Sequence, residues 1–191
     1  MKDHFDFDSA PLKADTTPTF EVLDINLIGT SYTTLLAMNA FRRNPAEVTD
    51  SLLVLTSSGA GLYPTGVQPF YAAAKHGVIG LARSTAGRFR TGRIRICALV
   101  PGLVPTPIMP KEIIERTDKS IVTPVSHIVT AVNDMLHNRR NGTVCEASVD
   151  QLFFRDPPDF PDEAQRKVIL EVCDSMEDDF KRVRQTNTGH G

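Results

Sequence analysis

The sequence predicts an α/β protein built on a parallel sheet with helices on both faces. Three observations carry that expectation. Segments of helical period alternate with short apolar runs of strand type, in the order helix, strand, helix, strand, helix, strand. Such alternation feeds parallel strands through right-handed crossovers. Ser51-Leu-Leu-Val-Leu-Thr-Ser-Ser58 is a short apolar run of buried-strand type, as in strands covered on both faces. Finally, a chain of 191 residues, 41% hydrophobic and 23% charged, is long enough to bury a sizeable core. The expected organisation is one domain over 1–191, with 156–191 as a linker, helix and tail.

Residues 1–17 are polar and without period, and read as a loop. A helix is expected over 18–43, opened by Thr17-Pro18, with Leu23, Leu27, Leu35 and Met38 at helical spacing. Asn44-Pro45 stops it. Ser51 to Ser58 reads as a buried strand closed by Gly59, Gly61 and Pro64. A second helix is expected over 69–90 and ends at Thr91-Gly92. A strand over 93–100 comes after it, with Ile94, Ile96, Ala98 and Val100 alternating. Pro101-Gly102 breaks it. Next come a proline-rich loop to Lys111 and a short helical lid over 110–117. Thr123-Pro124 opens a third helix with Val125, Ile128, Val129, Val132, Met135 and Leu136 on its apolar face. Asn141-Gly142 turns into a strand over 143–152. Residues 156–161 form a proline-stiffened linker. A last helix over 163–184 carries Ile169, Val172, Cys173, Met176, Phe180 and Val183 on one face, and 185–191 read as disordered.

Composition narrows the function. A net charge of -2 and a pI near 6.2 give no basic surplus for nucleic acid or anionic lipid. No apolar stretch has the length of a membrane span, and the N-terminus is too acidic for a signal peptide. Cys97, Cys145 and Cys173 are scattered in apolar contexts. They read as buried free thiols of a cytoplasmic protein, and none pairs with a histidine at metal-ligand spacing.

The chemistry concentrates at Tyr71-Ala-Ala-Ala-Lys75, with Ser58 thirteen residues before the tyrosine. Tyrosine, with an unperturbed pKa of about 10, is a useful general acid/base only where a cation stabilises its phenolate. A lysine four residues on along a helix shares the tyrosine's face. Ser58 adds a hydroxyl to hold a substrate oxygen. On its own, Tyr-x-x-x-Lys is also a common pattern of a core-edge tyrosine with a solvated lysine. Here the strand ending in Ser58, the start of the Tyr71 helix and the Pro101-Gly102 break share one sheet edge. Ligands bind in that place on open parallel sheets.

Thr56-Ser-Ser-Gly-Ala-Gly-Leu62, Tyr71-x-x-x-Lys75-His-Gly-Val-Ile-Gly-Leu81 and Val100-Pro-Gly-Leu-Val-Pro-Thr106 resemble the classical short-chain dehydrogenase/reductase family. The likeness spans about Val22 to Val149. It implies that Tyr71 is the acid/base, that Lys75 lowers its pKa and binds the nicotinamide ribose, and that Ser58 orients the substrate oxygen. Asn26 matches an asparagine supporting a proton-relay water. Pro101, Gly102, Val104 and Thr106 match the segment that contacts the nicotinamide. Ser58-Gly-Ala-Gly-Leu-Tyr-Pro64 with Gln68-Pro-x-Tyr71 is closest in pattern to the hydroxyprostaglandin dehydrogenase branch, where the residue matching Gln68 contacts substrate. His76, His127 and His137 read as structural.

The resemblance implies an NAD or NADP cofactor, the branch tilting the expectation to NAD, and interconversion of a secondary alcohol and a ketone. Leu103, Val104, Ile108, Met109 and Ile113 suggest an apolar substrate such as a lipid, terpenoid or polyketide. Family members associate through helices matching 18–43 and 69–90, implying a homodimer or homotetramer. The glycine-rich pyrophosphate turn of the family has no match here. The expectation is therefore the C-terminal part of a Rossmann-like doubly wound parallel sheet, truncated before its first mononucleotide-binding half. That raises a second reading, a non-enzymatic remnant that acts as an interaction protein.

Overall fold

The computed structural model describes residues 19–172 except 46, 49 and 90–92, together with 175 and 176. The expected N-terminal loop, the Thr17-Pro18 helix start, most of the last helix beyond 172 and the tail lie outside the described residues. The chain divides into two compact units, Met1–Asp156 and Pro157–Gly191.

In the first unit a continuous helix, α1, runs through Glu21–Leu23, a π turn at Asp24–Ile28, and Gly29–Arg42. Strand β1 (Ser51–Thr56) leads through a 3₁₀ turn, Gly59–Gly61, to helix α2 (Pro69–Arg88). Strand β2 is Ile94–Pro101, the short helix α3 is Lys111–Arg116, and helix α4 is Val125–His137. Strands β3 (Val144–Ala147) and β4 (Leu152–Arg155) close the unit. The sheet order is β1-β2-β3-β4. The first three strands are parallel and β4 is antiparallel to β3.

The expected single strand over 143–152 is thus two strands. The chain reverses at 148–151, where the Ser148 amide donates to the Gln151 carbonyl at 3.0 Å. This reversal contains neither glycine nor proline, the strongest turn signals, although Ser148 and Asp150 are both common turn residues. The first expected strand also ends earlier, at Thr56.

Strand β2 is the centre of the unit. It pairs with β1 along one edge and β3 along the other, and every residue from Ile94 to Val100 is buried. The predicted alternation describes only half of it. Ile94, Ile96, Ala98 and Val100 pack with Met38 of α1 and with Val78, Ile79, Ala82 and Ala86 of α2. Cys97 and Leu99 pack with Ala131 and Met135 of α4, and with Cys145 and Ala147. Helices therefore cover both faces, as doubly wound sheets require. Cys97 and Cys145 are free and buried, and burial pushes both thiols up, Cys145 to about 11. Cys173 lies outside the described residues.

Helix faces deviate from prediction for local reasons. The π turn adds a residue to one turn of α1 and rotates the remainder of the helix. Met38 is buried, while Leu35, on the same regular stretch of α1, is 62% exposed. On α4 the packed stripe is Ile128, Ala131, Val132 and Met135, while Val125, Val129 and Leu136 face outward. The Asn141-Gly142 turn forms as expected. Gly142 adopts φ +72°, and the Asn141 side-chain carbonyl accepts the Ile96 amide at 3.0 Å.

The second unit begins with α5, Glu163–Lys167, capped by Asp162, whose carboxylate accepts the Gln165 amide at 2.7 Å. A π turn, Val168–Val172, continues it, so the expected α-helix is irregular from Val168. Val168, Ile169, Leu170 and Val172 are exposed. Among the described residues no helix is long and apolar enough to cross a membrane, and no three His, Cys, Asp or Glu side chains gather as a metal site would.

Inside the apolar strand β2 stands Arg95, with a side chain only 1% exposed. Each of its donors has a partner. Nε and Nη2 bind the two oxygens of Asp50 at 2.6 and 2.8 Å. Nη1 donates to the Met135 and Arg140 carbonyls at 2.7 and 3.0 Å, and Nη2 reaches Leu136 at 3.4 Å. The Met135 and Leu136 carbonyls belong to the open C-terminal end of α4, where a cation is favoured, and the Arg140 carbonyl lies in the turn that follows. The hydrogen bond from Arg95 holds the Asp50 carboxyl below its usual range. Replacing Arg95 by Ala strands Asp50 and the helix carbonyls, and is expected to cost about 3–5 kcal/mol, read from the urea midpoint. The Asp50 contribution is full above the unfolded carboxylate pKa of about 3.9 and is lost as pH falls through the lower folded value. An Asp50→Asn variant should lack that part of the acid sensitivity.

Candidate active site

Strand β1 delivers two serines to the carboxyl edge of the sheet. Ser57 is buried; its amide extends the ladder to the Leu99 carbonyl at 2.7 Å and its hydroxyl donates to the Lys75 carbonyl at 2.8 Å. Ser58 caps the 3₁₀ turn, its Oγ accepting the Ala60 amide at 3.3 Å. From the other side, Lys75 Nζ donates to the Thr56 carbonyl at 3.1 Å. Residue 75 is therefore fastened to the end of β1 through both its backbone and its side chain. Gly61 seals this junction. A Cβ there would lie 2.3 Å from Ser57 Oγ and 2.7 Å from the Lys75 carbonyl oxygen, so no side chain fits.

Helix α2 starts at Gln68 with Pro69 in its first turn, the favoured place for proline. Tyr71 comes at once and Lys75 one turn later, with Nζ 5.6 Å from the centre of the tyrosine ring. Both side chains are half-buried. Burial lowers the Lys75 pKa, because the ammonium gives up water at the sheet edge. Ala72 and Ala74 are buried, so these small residues let the helix lie close to its neighbours. His76 directs its ring back to the Ala72 carbonyl at 2.9 Å, and His127 binds the Ser148 carbonyl at 3.1 Å.

Asn26 sits in the π turn of α1. Its amide donates to the Val22 carbonyl at 2.9 Å, and its own carbonyl accepts the Thr30 hydroxyl at 2.8 Å. The neighbouring Leu27 packs into the notch left by Gly77 of α2, where a Cβ would stand 2.8 Å from Leu27 Cδ1. The π turn is thereby held against α2 two residues beyond Lys75. Such turns recur at functional sites because they free or redirect backbone groups.

At the end of β2, Pro101 pairs with Ala147 and the Gly102 amide donates to the Ala147 carbonyl at 3.0 Å. A Cβ on Gly102 would meet the buried Thr123 hydroxyl at 2.5 Å. Val104 and Thr106 are half-exposed in the loop toward α3, where the Thr106 carbonyl accepts the Met109 amide. Gln68 is exposed, without a side-chain capping bond. The structure thus joins Ser58, Tyr71 and Lys75 at one strand end, with Pro101 and Gly102 on the adjacent strand and Asn26 linked through Leu27. Gln68, Val104 and Thr106 stand on loops around them.

The 103–122 segment encloses an apolar cavity of about 10 Å³ lined by Leu103, Pro105, Met109, Ile114, Thr117 and Val122. That is room for about one water at most, so these side chains pack the lid itself. Ile108 and Ile113 are exposed. Sequence reasoning passed over Ser57, Gly61, Gly77 and Thr123, which hold the site together. The serine pair and the glycines were visible, but each matters through a partner distant in sequence.

The sequence profile described as "short chain dehydrogenase" matches residues 9–117. The short-chain dehydrogenase/reductase prx7 of Penicillium rubens is 31% identical over 173 residues, covering 80% of this chain and 61% of its own length. Rattus norvegicus 15-hydroxyprostaglandin dehydrogenase [NAD(+)] is 36% identical over 101 residues, 51% of this chain and 36% of its own. The crystal structure of 3-hydroxyacyl-CoA dehydrogenase type-2 from Mycobacterium avium superposes with a TM-score of 0.58 at 30% identity, over 74% of this chain and 60% of that one. The chain belongs to the short-chain dehydrogenase family, whose members are NAD(P)-dependent oxidoreductases. It spans about three-fifths of the length of prx7, and its sheet is part of that family's Rossmann fold.

The lowered Lys75 pKa has a consequence for stability. Between the folded value and the unfolded value of about 10.4, the unfolded chain binds more protons, so stability rises with pH across that window. A Lys75→Met variant should lose this slope, measured as unfolding free energy from pH 8 to about pH 10.4.

Proposed function

We propose that this chain carries the catalytic machinery of an alcohol–ketone oxidoreductase using a nicotinamide cofactor. One observation carries the reading. Lys75, bound to the Thr56 carbonyl, holds its ammonium beside the Tyr71 ring at the strand end that presents Ser58. A cation there favours the phenolate, which lets tyrosine take a proton from an alcohol or return one to a carbonyl oxygen. Ser58 donates to the substrate oxygen and stabilises its developing charge. Lys75 and Asn26 pass the proton onward, by resemblance through a water.

The residues present suit the nicotinamide end of a cofactor. Lys75 offers a desolvated ammonium for the ribose, and Pro101, Gly102, Val104 and Thr106 offer backbone groups and a hydroxyl beside it. When bound, the nicotinamide supplies or accepts the hydride at the carbinol carbon. The rat relative is an NAD(+) enzyme by name, which favours NAD over NADP. The substrate is a small secondary alcohol or ketone of apolar character, with Gln68 at its rim.

Self-association through α1 and α2 accompanies this reading. Ile25, Ile28, Tyr32, Leu35 and Leu36 form an exposed apolar stripe on α1. Ala73, Gly80, Ser84 and Gly87 leave the outer face of α2 low enough for close approach. We expect a homodimer or homotetramer. Leu36→Glu should shift the sedimentation coefficient to that of the monomer without changing the circular dichroism spectrum.

Titration of the purified chain with NADH and NADPH, followed by cofactor fluorescence, tests the enzymatic reading. Saturable binding of NADH is expected; its absence in a folded sample favours the interaction-protein reading. Tyr71→Phe should lower turnover of a secondary alcohol by about 10³-fold and leave cofactor affinity within a factor of about two. Unchanged turnover in this variant would overturn the role given to Tyr71.

A further inference from the structure

The loop leaving β1 holds Ser58 at its start and Gln68 at its end, and its middle is pinned by one side chain. The Tyr63 hydroxyl donates to Glu146 Oε2 at 3.0 Å and accepts from Arg155 Nη2 at 3.0 Å. Arg155 Nε donates to the same glutamate oxygen at 2.7 Å. The three groups form a closed ring of hydrogen bonds, all three of them charge-assisted. Glu146 is on β3 and Arg155 on β4, so the ring fastens the loop to the hairpin on the far side of β2. Glu146 stands opposite Val100, one residue before Pro101, and opposite Phe153, whose ring lies 5.0 Å below the Arg155 guanidinium.

The chemistry of the ring is specific. Glu146 is a carboxylate with a side chain only 14% exposed, and it faces a positive charge and a phenol. Tyr63 is half-exposed and packs little, so its hydroxyl does more to fix the loop than its ring. The pinned segment runs from the end of β1, past the end of β2, to the β3–β4 hairpin. Those strand ends are where Ser58 and Pro101-Gly102 emerge.

We propose that Tyr63, Glu146 and Arg155 are positioning residues that hold the 59–68 loop as a fixed wall of the substrate pocket. They thereby set how an alcohol or ketone lies between Ser58 and Gln68. None of the three touches the reacting atoms. The inference rests on the oxidoreductase reading for its kinetic consequence but on geometry alone for the pinning.

The test uses the whole chain and Tyr63→Phe, which keeps the ring and removes both hydrogen bonds of the hydroxyl. Hydrogen exchange should quicken about tenfold at the amides of Gly61, Leu62 and Tyr63, all bonded within the 3₁₀ turn, while amides of β2 and α4 keep their rates. With a panel of secondary alcohols differing in bulk, KM should rise several-fold and kcat change less than twofold, with the ranking of substrates altered. Glu146→Gln, which keeps an acceptor but not the charge, should show a smaller effect at the same amides. Unchanged exchange at 61–63 in Tyr63→Phe overturns the pinning. Exchange that quickens across the whole sheet, or a KM and ranking that do not move while the loop loosens, overturns the positioning role. Absence of turnover in the unmodified chain counts against the oxidoreductase reading alone, and the exchange measurement still decides the pinning.

Discussion

The structure depends on one constraint: β2 is hydrogen-bonded on both edges and covered on both faces. A strand in that position leaves no direction in which a polar side chain can reach water. All its side chains must be apolar or completely paired. Arg95 meets the second condition, because Asp50 and the carbonyl end of α4 together take up its guanidinium. The residue before β1, the middle strand and the end of α4 are thereby tied at one end of the sheet. That leaves the opposite, carboxyl end open for chemistry.

At the open end the serine pair divides the work. Ser57 turns inward and fastens α2 to the sheet; Ser58, one residue on, points along a different path and caps the turn. Lys75 joins both arrangements, accepting from Ser57 through its carbonyl and reaching Thr56 through its ammonium. With its backbone carbonyl fixed by Ser57 and its ammonium bound to the Thr56 carbonyl, Lys75 is anchored at both ends, so the cation arrives near Tyr71 already placed. Preorganisation of this kind is what gives a fixed charge its effect on a reaction. The glycines at 61 and 77 serve the same end by admitting the Ser57–Lys75 junction and Leu27 at distances that any Cβ would forbid.

How legible this was from sequence varied with how local each cause is. The helix over 18–43, the strand from Ser51, the helix from Pro69 and the lid near 110–117 follow from periodicity and from proline and glycine signals in the same few residues. The Tyr71-Lys75 relation is likewise one helical turn. Leu35 was misplaced because the packed face of α1 is narrow beyond the π turn: Met38 is buried and Leu35, three residues earlier on the same stretch, falls outside it. The β3–β4 reversal was missed because Ser148 to Gln151 turn without glycine or proline. Arg95 was not singled out from sequence, because its burial depends on Asp50 and on carbonyls 40 or more positions away. The Tyr63 ring was invisible for the same reason, since its partners are 83 and 92 residues distant.

Such long-range pairs also explain how a site assembled on one crossover unit keeps its geometry. Ser57, Ser58, Tyr71 and Lys75 all lie between the start of β1 and the end of α2, and their mutual contacts are made inside that stretch. The pairs that fix the unit from outside arrive from three directions: Leu27 at Gly77, Leu99 at the Ser57 amide, and Glu146 with Arg155 at Tyr63. Each meets the unit at a different element, so no single rotation of α2 or of the loop relieves all three. The positions of Ser58, Tyr71 and Lys75, the groups proposed to handle the proton, are consequently set by residues within 19–155. In the oxidoreductase reading proposed above, cofactor affinity is a separate matter: folds of this class hold the pyrophosphate with a glycine-rich turn at a helix N-terminus, and the residues assigned to the cofactor here are at the nicotinamide end. On that reading, placement of the acid/base and strength of cofactor binding are governed by different parts of the fold, and a change to one need not disturb the other.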